Sequence, residues 1–145
     1  MANLFYADAC IYLNLWKMEG NEKFGAPYWQ IAKDFFEKFS SKDSFIYYSN
    51  FLIKELSFAL TKEQFDKKKL LFCDSKNFRK VHISQEEISM ARKIESELDY
   101  SPSFYDILHM LLAKKSNSIL VTRDKNLLDA SKKYNIEAKR PEELL

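Results

Sequence analysis

Short apolar runs with the character of β-strands alternate with helix-like segments along the whole sequence. The segments between the runs carry apolar residues at helical spacing, and the runs themselves cover residues 3–9, 44–49, 78–84, 118–122 and 136–138. Strands that alternate with helices build parallel sheets whose two faces are covered by the helices. The pattern therefore predicts an α/β fold, a three-layer α/β/α sandwich with a central parallel sheet of four to five strands.

Local signals mark several boundaries between these segments. A loop that carries both glycines, Gly20 and Gly25, separates the first two helix-like segments. Residues 50–75 are predicted to form one or two helices. Ser84 is followed by Glu87 three residues later, which is the spacing of a capping box and predicts a helix that starts directly after Ser84.

Length and composition place the chain among globular proteins. Its 145 residues match one ordinary domain, so we expect a single domain over residues 1–145. The hydrophobic fraction of 46% and the charged fraction of 30% exclude a disordered or fibrous chain. The net charge of +2 is too small to predict nucleic-acid binding by itself, so any basic surface must be local.

Cysteine usage and the first residues bear on the cellular compartment. Cys10 and Cys73 lie far apart and show neither CxxC spacing nor a pair of histidines, so the sequence predicts no zinc site. The opening apolar run has no basic segment before it and is interrupted by Asp8, so we expect neither a signal peptide nor a membrane span. A cytoplasmic location with reduced thiols is the expectation.

Four acidic residues lie where side chains can meet in such a fold. Asp8 and Asp124 each follow an apolar run, at the end of a predicted strand, where ligands collect in open α/β sheets. Their alternative role is to cap the helix that follows. Asp106 begins a helix that is apolar nearly all round, and its alternative is a capping box with Ser103. Glu55 lies on the flank of an amphipathic helix, half buried, with a solvated or ion-paired position as its alternative.

Taken together, the four acids predict a cation site. Two like charges about 4 Å apart repel by about 4 kcal/mol near a protein surface, so clustered acids must be protonated or neutralised. Carboxylates without histidine or cysteine ligands favour Mg²⁺ or Mn²⁺, which is commonly held together with substrate phosphate. This combination is typical of phosphodiester chemistry.

The sequence resembles the PIN-domain nucleases, the family of VapC-type toxins and of several RNA-processing enzymes. The resemblance covers the whole chain and rests on "YADACIYLNL", on the acid in "FLIKELSFAL" and on "FYDILHMLLAKKSNSILVTRD". It implies an acidic pocket of Asp8, Glu55, Asp106 and Asp124, with the Thr122 hydroxyl beside it. It implies that three of them, Asp8, Asp106 and Asp124, are ligands of Mg²⁺ or Mn²⁺, and that the metal activates water to cleave RNA without a protein nucleophile.

Two positions depart from the pattern of that family. Cys10 stands where the family usually has Asn or Ser, and Asn126 stands where a further acid is common. The first change removes a usual polar support of the pocket. The second either weakens one of two metal sites or leaves a single site, so the number of ions that act stays open.

Basic and imidazole side chains lie near the acids in the sequence and are further candidates for contacts. Arg123 and Lys125 flank Asp124 and are predicted to contact RNA phosphates. His109 is expected to be a hydrogen-bonded core residue rather than a metal ligand, because no second histidine supports it, and His82 has a still weaker claim.

The expected function is therefore a Mg²⁺- or Mn²⁺-dependent endoribonuclease, the toxin of a toxin–antitoxin pair. Its partners would be RNA, an antitoxin and a second copy of the chain, and the aromatic segment 27–39 could supply the groove for either protein. The alternatives are an RNA-processing PIN nuclease outside a toxin system, and a degenerate PIN module that binds RNA or protein without cleavage.

Overall fold

Strands and helices alternate through residues 3–18, 27–41 and 43–145, which are the residues that the computed structural model describes. The predicted loop with Gly20 and Gly25 lies outside the described residues. The strands are β1 (Asn3–Ala7), β2 (Ser44–Tyr48), β3 (Phe78–Lys80), β4 (Ile119–Val121) and β5 (Ala138–Lys139). The helices are α1 (Ala9–Trp16), α2 (Tyr28–Lys38), α3 (Asn50–Ala59), α4 (Lys62–Lys68), α5 (Leu70–Asp74), α6 (Gln85–Glu97), α7 (Phe104–Lys115) and α8 (Lys125–Lys133), followed by a 3-10 turn at Pro141–Leu144.

The five strands form one parallel sheet in the order β3-β2-β1-β4-β5. The central strand β1 pairs with β2 on one side, where Asn3 lies opposite Ser44, and with β4 on the other, where Phe5 lies opposite Ile119. The predicted parallel sheet is confirmed. Because the chain adds β2 and β3 on one side of β1 before it crosses to the other side, the direction of winding reverses between β1 and β4.

Strand β1 separates two apolar clusters, because successive side chains of a strand point to opposite faces of the sheet. Phe5 and Ala7 belong to one cluster, together with apolar side chains of α1, α2, α3 and α5. Tyr6 belongs to the other cluster, together with side chains of α6, α7 and α8. Helices thus cover both faces of the sheet, which confirms the predicted three-layer α/β/α arrangement.

The helices of the described residues are short, and most of them start with a side-chain cap, with α2 and α5 as the exceptions. Ser84 and Glu87 make both hydrogen bonds of the predicted capping box at the start of α6. Helix α6 is the longest of the described helices at 13 residues, whereas a bilayer span requires about 20. Nowhere in the described ranges is a helix long and apolar enough to cross a membrane.

Two element boundaries differ from the sequence prediction. Residues 50–75 form three helices rather than one or two, because Leu60 adopts extended backbone angles and Thr61 starts α4 with a capping box of its own. The third strand ends at Lys80 instead of residue 84. It lies at the sheet edge and pairs only with β2. The hydrogen bond from the Val81 amide to the Tyr48 carbonyl is the last one between the two segments.

The buried interior strands predict a large cost for truncating a side chain between sheet and helices. Leu120 of β4 is fully buried, so Leu120→Ala should lower the free energy of unfolding by about 2–5 kcal/mol. Leu70→Ala is the matched control, because Leu70 is 51% exposed and the same truncation there should change it by about 0.5 kcal/mol or less. Urea unfolding of both variants measures the difference, and equal losses would contradict the assigned core.

Candidate active site

Asp8, Thr122 and Asp124 lie at the carboxyl edge of the sheet, where the winding direction reverses. Asp8 follows β1, and the other two residues follow β4, its neighbour in the sheet. The Asp8 amide donates to the Val121 carbonyl at 3.1 Å and thereby joins the ends of the two strands. In open α/β sheets the crevice at such a reversal point is the usual place for a ligand.

The carboxylate of Asp8 is buried and hydrogen-bonded at both oxygens. It is 3% exposed, and its Oδ2 accepts a 2.5 Å hydrogen bond from the Thr122 hydroxyl. Its Oδ1 accepts from the amide of Cys10 at 3.2 Å and from the Cys10 thiol at 2.7 Å. Asp8 therefore caps α1, as the alternative for this residue predicted, and the cap also holds the carboxylate at the crevice.

Burial raises the pKa of Asp8 to about 6. The hydrogen bonds from Cys10 and Thr122 oppose that rise, whereas the negative charge of Asp106 adds to it. Desolvation disfavours the charged form of a carboxyl group. A neutralising cation would favour the ionised form.

Cys10 supplies a hydrogen-bond donor at the position where the resembling family usually has Asn or Ser. Burial and then the negative charge of Asp8 raise the pKa of its thiol well above the ordinary value. The sulfur therefore keeps its proton and can donate it to the Asp8 carboxylate. The departure at this position preserves a polar support for the buried acid.

Thr122 links the two strand-end aspartates through a single hydroxyl. Its Oγ1 donates to Asp8 and accepts a 3.1 Å hydrogen bond from the Asp124 amide. Asp124 in turn caps α8, because its Oδ1 accepts from the Asn126 amide at 2.9 Å. The capping alternative for Asp124 is present in the structure, and it leaves the residue partly exposed beside the crevice.

Asp106 lies in the first turn of α7 and within electrostatic reach of the other acids. Its amide donates to Ser103 Oγ at 3.3 Å, which is the cap predicted at this helix start. Burial raises its pKa, and the negative charges of Glu55 and Asp124 raise it further. Because the charge of Asp106 also acts on Asp8, all four acids share one electrostatic neighbourhood through Asp106.

The donor set fits a hard divalent cation by its chemistry. It consists of carboxylate oxygens, which Mg²⁺ and Mn²⁺ prefer, and the mutual repulsion of the acids favours a positive ion among them. Among the described residues, however, no three acidic, histidine or cysteine side chains stand close enough to hold an ion as they are. Asp8, Asp106 and Asp124 remain the predicted ligands, with water and substrate needed to complete the coordination.

Glu55 is held by a histidine that sequence reasoning left outside the site. The side chain of Glu55 is 27% exposed, and its Oε1 lies 2.9 Å from Nε2 of the fully buried His109. His109 Nδ1 lies 2.8 Å from the Tyr6 hydroxyl, which lies 2.7 Å from Ser49 Oγ. Two sequence spacings pointed to these residues: His109 is three positions after Asp106 on one helix, and Tyr6 is two before Asp8 on one strand.

The two predicted RNA contacts have different surroundings. The Arg123 side chain is only 12% exposed, and its guanidinium bonds Asn14 at 3.1 Å and Glu142 at 2.9 Å and stacks over the ring of Tyr28. Its side chain therefore turns towards α1 and the C-terminal turn. Lys125 is exposed at the start of α8. The phosphate contacts of both residues stay predictions.

Asn126 ties the start of α8 to the loop before α7. Its Nδ2 donates to Ser101 Oγ at 3.1 Å, a bond that an ionised acid at this position could not donate. The departure from the family pattern at Asn126 thus replaces a negative charge by a link between the segments that carry Asp106 and Asp124.

Comparisons with known proteins agree with this geometry. A family model described as PIN domain matches residues 7–133. No curated protein matches the sequence. Solved structures with the same fold include VapBC2 from Rickettsia felis, bound to a DNA fragment from their promoter, with a TM-score of 0.66, 16% identity and coverage of 94% of this chain and 98% of that chain.

Two further solved structures share the fold at low identity. PAE2754 from Pyrobaculum aerophilum has a TM-score of 0.61 at 19% identity and covers 99% of this chain and 95% of its own. FitAcB from Neisseria gonorrhoeae has a TM-score of 0.64 at 13% identity and covers 94% and 97%. Similarities at this level of identity establish the fold.

The raised pKa of Asp8 predicts how stability depends on pH. A carboxyl group that holds its proton more tightly in the folded than in the unfolded state lowers stability as pH rises from about 4 to about 6. About two pKa units correspond to about 3 kcal/mol. Without divalent ions, the stability of Asp8→Asn relative to the wild type should therefore rise by about 3 kcal/mol between pH 4 and pH 7, measured by urea unfolding.

The control for this prediction is Asp129→Asn, which changes an exposed aspartate of α8. Its stability should follow that of the wild type over the same pH range. A curve for Asp8→Asn that runs parallel to the wild-type curve would show that the folded protein does not hold the Asp8 proton.

Proposed function

This chain belongs to the PIN-domain family, and from that premise we propose that it is a Mg²⁺- or Mn²⁺-dependent endoribonuclease. The proposal rests on the hydrogen-bonded unit of Asp8, Thr122 and Asp124 at the sheet crevice, with Asp106 within electrostatic reach of both acids. Such a concentration of carboxylates has a chemical use in binding a divalent ion together with a phosphodiester.

Each residue of the site has a distinct task in the proposed reaction. Asp8, Asp106 and Asp124 hold the divalent ion, which supplies Lewis-acid stabilisation and an activated water when bound. Glu55 accepts a hydrogen bond from His109 and orients the attacking water with its other oxygen. Lys125 contacts the substrate phosphate and positions the RNA without reading its sequence. No protein side chain acts as the nucleophile.

The proposed biological role is that of a toxin controlled by an antitoxin protein. The similarity in fold to VapBC2 and FitAcB supports this role, together with the resemblance of the sequence motifs to VapC-type toxins. We further propose that residues 1–145 act as one PIN domain, as a homodimer and in the cytoplasm. An RNA-processing nuclease outside a toxin system is the alternative role for the same chemistry.

The hydrogen bonds of the crevice argue against a degenerate, non-catalytic module. Cys10 still donates to Asp8, and Asn126 still links the segments that carry the acids. An asparagine could cap α1 as well as Asp8 does and would cost less to bury than a carboxylate, so the cap alone does not require an acid at this position.

Loss of the Asp106 carboxylate should abolish cleavage of RNA. We expect the purified protein to cleave single-stranded RNA with Mg²⁺ or Mn²⁺, to stop in EDTA, and to lose activity about 100-fold or more in Asp106→Asn. Initial rates on a labelled RNA measure the effect, and Asp129→Asn is the control that removes an exposed carboxylate elsewhere.

A binding measurement distinguishes a protein that binds the metal but does not cleave RNA from a protein that binds no metal. Mn²⁺ should raise the melting temperature of the wild type and of Asp129→Asn, and raise it far less in Asp106→Asn. Stabilisation by Mn²⁺ with no RNA cleavage would favour the non-catalytic module. If neither occurs, the metal-dependent function is wrong.

The toxin role predicts an effect on growth. Induced expression of the wild type in a bacterial host should arrest growth, and expression of Asp106→Asn should not. Colony counts and total RNA integrity measure the outcome. An active nuclease that leaves growth unchanged would favour RNA processing outside a toxin system.

A further inference from the structure

We propose that Ser49, Tyr6 and His109 form a buried, directional hydrogen-bond relay that fixes the carboxylate of Glu55 in the acidic pocket. His109 is then a positioning residue that acts through Glu55, rather than a metal ligand or a neutral part of the core. The inference rests on the proposed function for its catalytic consequence, whereas the direction of the relay is a property of the folded protein alone.

The relay joins three elements by short contacts between side chains. Ser49 precedes α3, Tyr6 lies on the central strand β1, and His109 lies on α7. The successive distances are 2.7 Å from Ser49 to Tyr6, 2.8 Å from Tyr6 to His109, and 2.9 Å from His109 to Glu55. Ser49, Tyr6 and His109 are at most 1% exposed, so no solvent competes for these hydrogen bonds.

The partners of each atom assign the direction of the protons. Ser49 Oγ accepts from the Leu52 amide at 3.1 Å, so its own proton is free to go to the Tyr6 oxygen. The Tyr6 hydroxyl then donates to His109 Nδ1, which leaves the ring proton on Nε2, facing Glu55. Every donor and acceptor is satisfied in this arrangement. The opposite tautomer would set the bare lone pair of Nε2 against a carboxylate.

Glu55 needs such a support because its carboxylate and that of Asp106 repel each other. The long Glu55 side chain is also partly exposed. Ordering a glutamate side chain costs the free energy of its lost rotamer freedom. The ring of His109 packs against that of Tyr6, with ring centroids 5.4 Å apart, and its Nε2–H holds Oε1 of Glu55, which limits the orientations of the carboxylate.

A merely structural histidine would give a different pattern of effects. It would contribute stability through its packing and its hydrogen bonds, and its effect on catalysis would not depend on Glu55. The relay instead predicts a defined tautomer of His109 and a catalytic effect of Tyr6 that requires the Glu55 carboxylate.

The tautomer is tested by ¹⁵N NMR of the histidine rings. The chain has two histidines, and the exposed His82 is assigned by His82→Gln. The relay predicts that His109 carries its proton on Nε2 and that Tyr6→Phe shifts the Nδ1 resonance, because Nδ1 loses its donor. A proton on Nδ1, alone or together with one on Nε2, would overturn the proposed direction of the relay, because Tyr6 could not then donate to Nδ1. This measurement does not require activity.

The positioning role is tested with a matched pair of tyrosine variants. Among the described residues the Tyr12 hydroxyl is buried without a hydrogen-bond partner, so Tyr12→Phe removes an equally buried oxygen outside the relay. Tyr6→Phe should lower kcat for RNA cleavage by about tenfold with KM nearly unchanged, and Tyr12→Phe should leave both within about twofold.

A double-mutant cycle decides whether Tyr6 acts through Glu55. In a Glu55→Gln background, measured in single-turnover reactions, Tyr6→Phe should change the residual rate by less than about twofold. The same tenfold loss in both backgrounds would overturn the positioning role. If the wild type cleaves no RNA, the proposed function fails, while the NMR result still decides the relay.

Discussion

The hydrogen bond from Thr122 to the buried carboxylate of Asp8 is the contact on which the rest of the site depends. It joins residues 114 positions apart in sequence and closes the gap between the ends of β1 and β4. The same hydroxyl accepts from the Asp124 amide and so places the second aspartate relative to the first. Without this donor, Asp8 would lose one of the few polar groups that offset its burial.

The site carries a conflict between stability and chemistry. Burial makes the ionised form of Asp8 unfavourable, and the charge of Asp106 increases that cost. Side chains that donate, from Cys10 and Thr122, reduce the cost without removing it. Strained electrostatics of this kind are typical of functional sites, where the folded state accepts a penalty that a bound ligand relieves.

Much of the fold and part of the site followed from local sequence patterns. The alternation of strands and helices predicted the parallel sheet, and acids placed after β1 and β4 were expected to meet because parallel strands end at one edge. The prediction of one or two helices over residues 50–75 allowed for a break at Leu60, but the second break, at Lys69, was missed, because no side-chain cap marks the start of α5. The donor role of the Cys10 thiol was also missed, since it depends on the exact distance between Cys10 Sγ and Asp8 Oδ1, which the sequence does not give.

His109 is a hydrogen-bonded core residue, as expected from the sequence, but the partners in its hydrogen-bond chain could not be identified from the sequence for a different reason. These hydrogen bonds join residues 43, 54 and 103 positions apart, and only the assembled layers bring them within hydrogen-bond distance. The central strand accounts for their precision. Tyr6 and Asp8 lie two residues apart at the end of β1, which is paired on both sides. The hydrogen bonds that lead to Glu55 and to Asp124 therefore both start from this central strand. A shift of β1 would therefore move Tyr6 and Asp8 together and change their distances from the acids on other elements, such as Glu55 and Asp124.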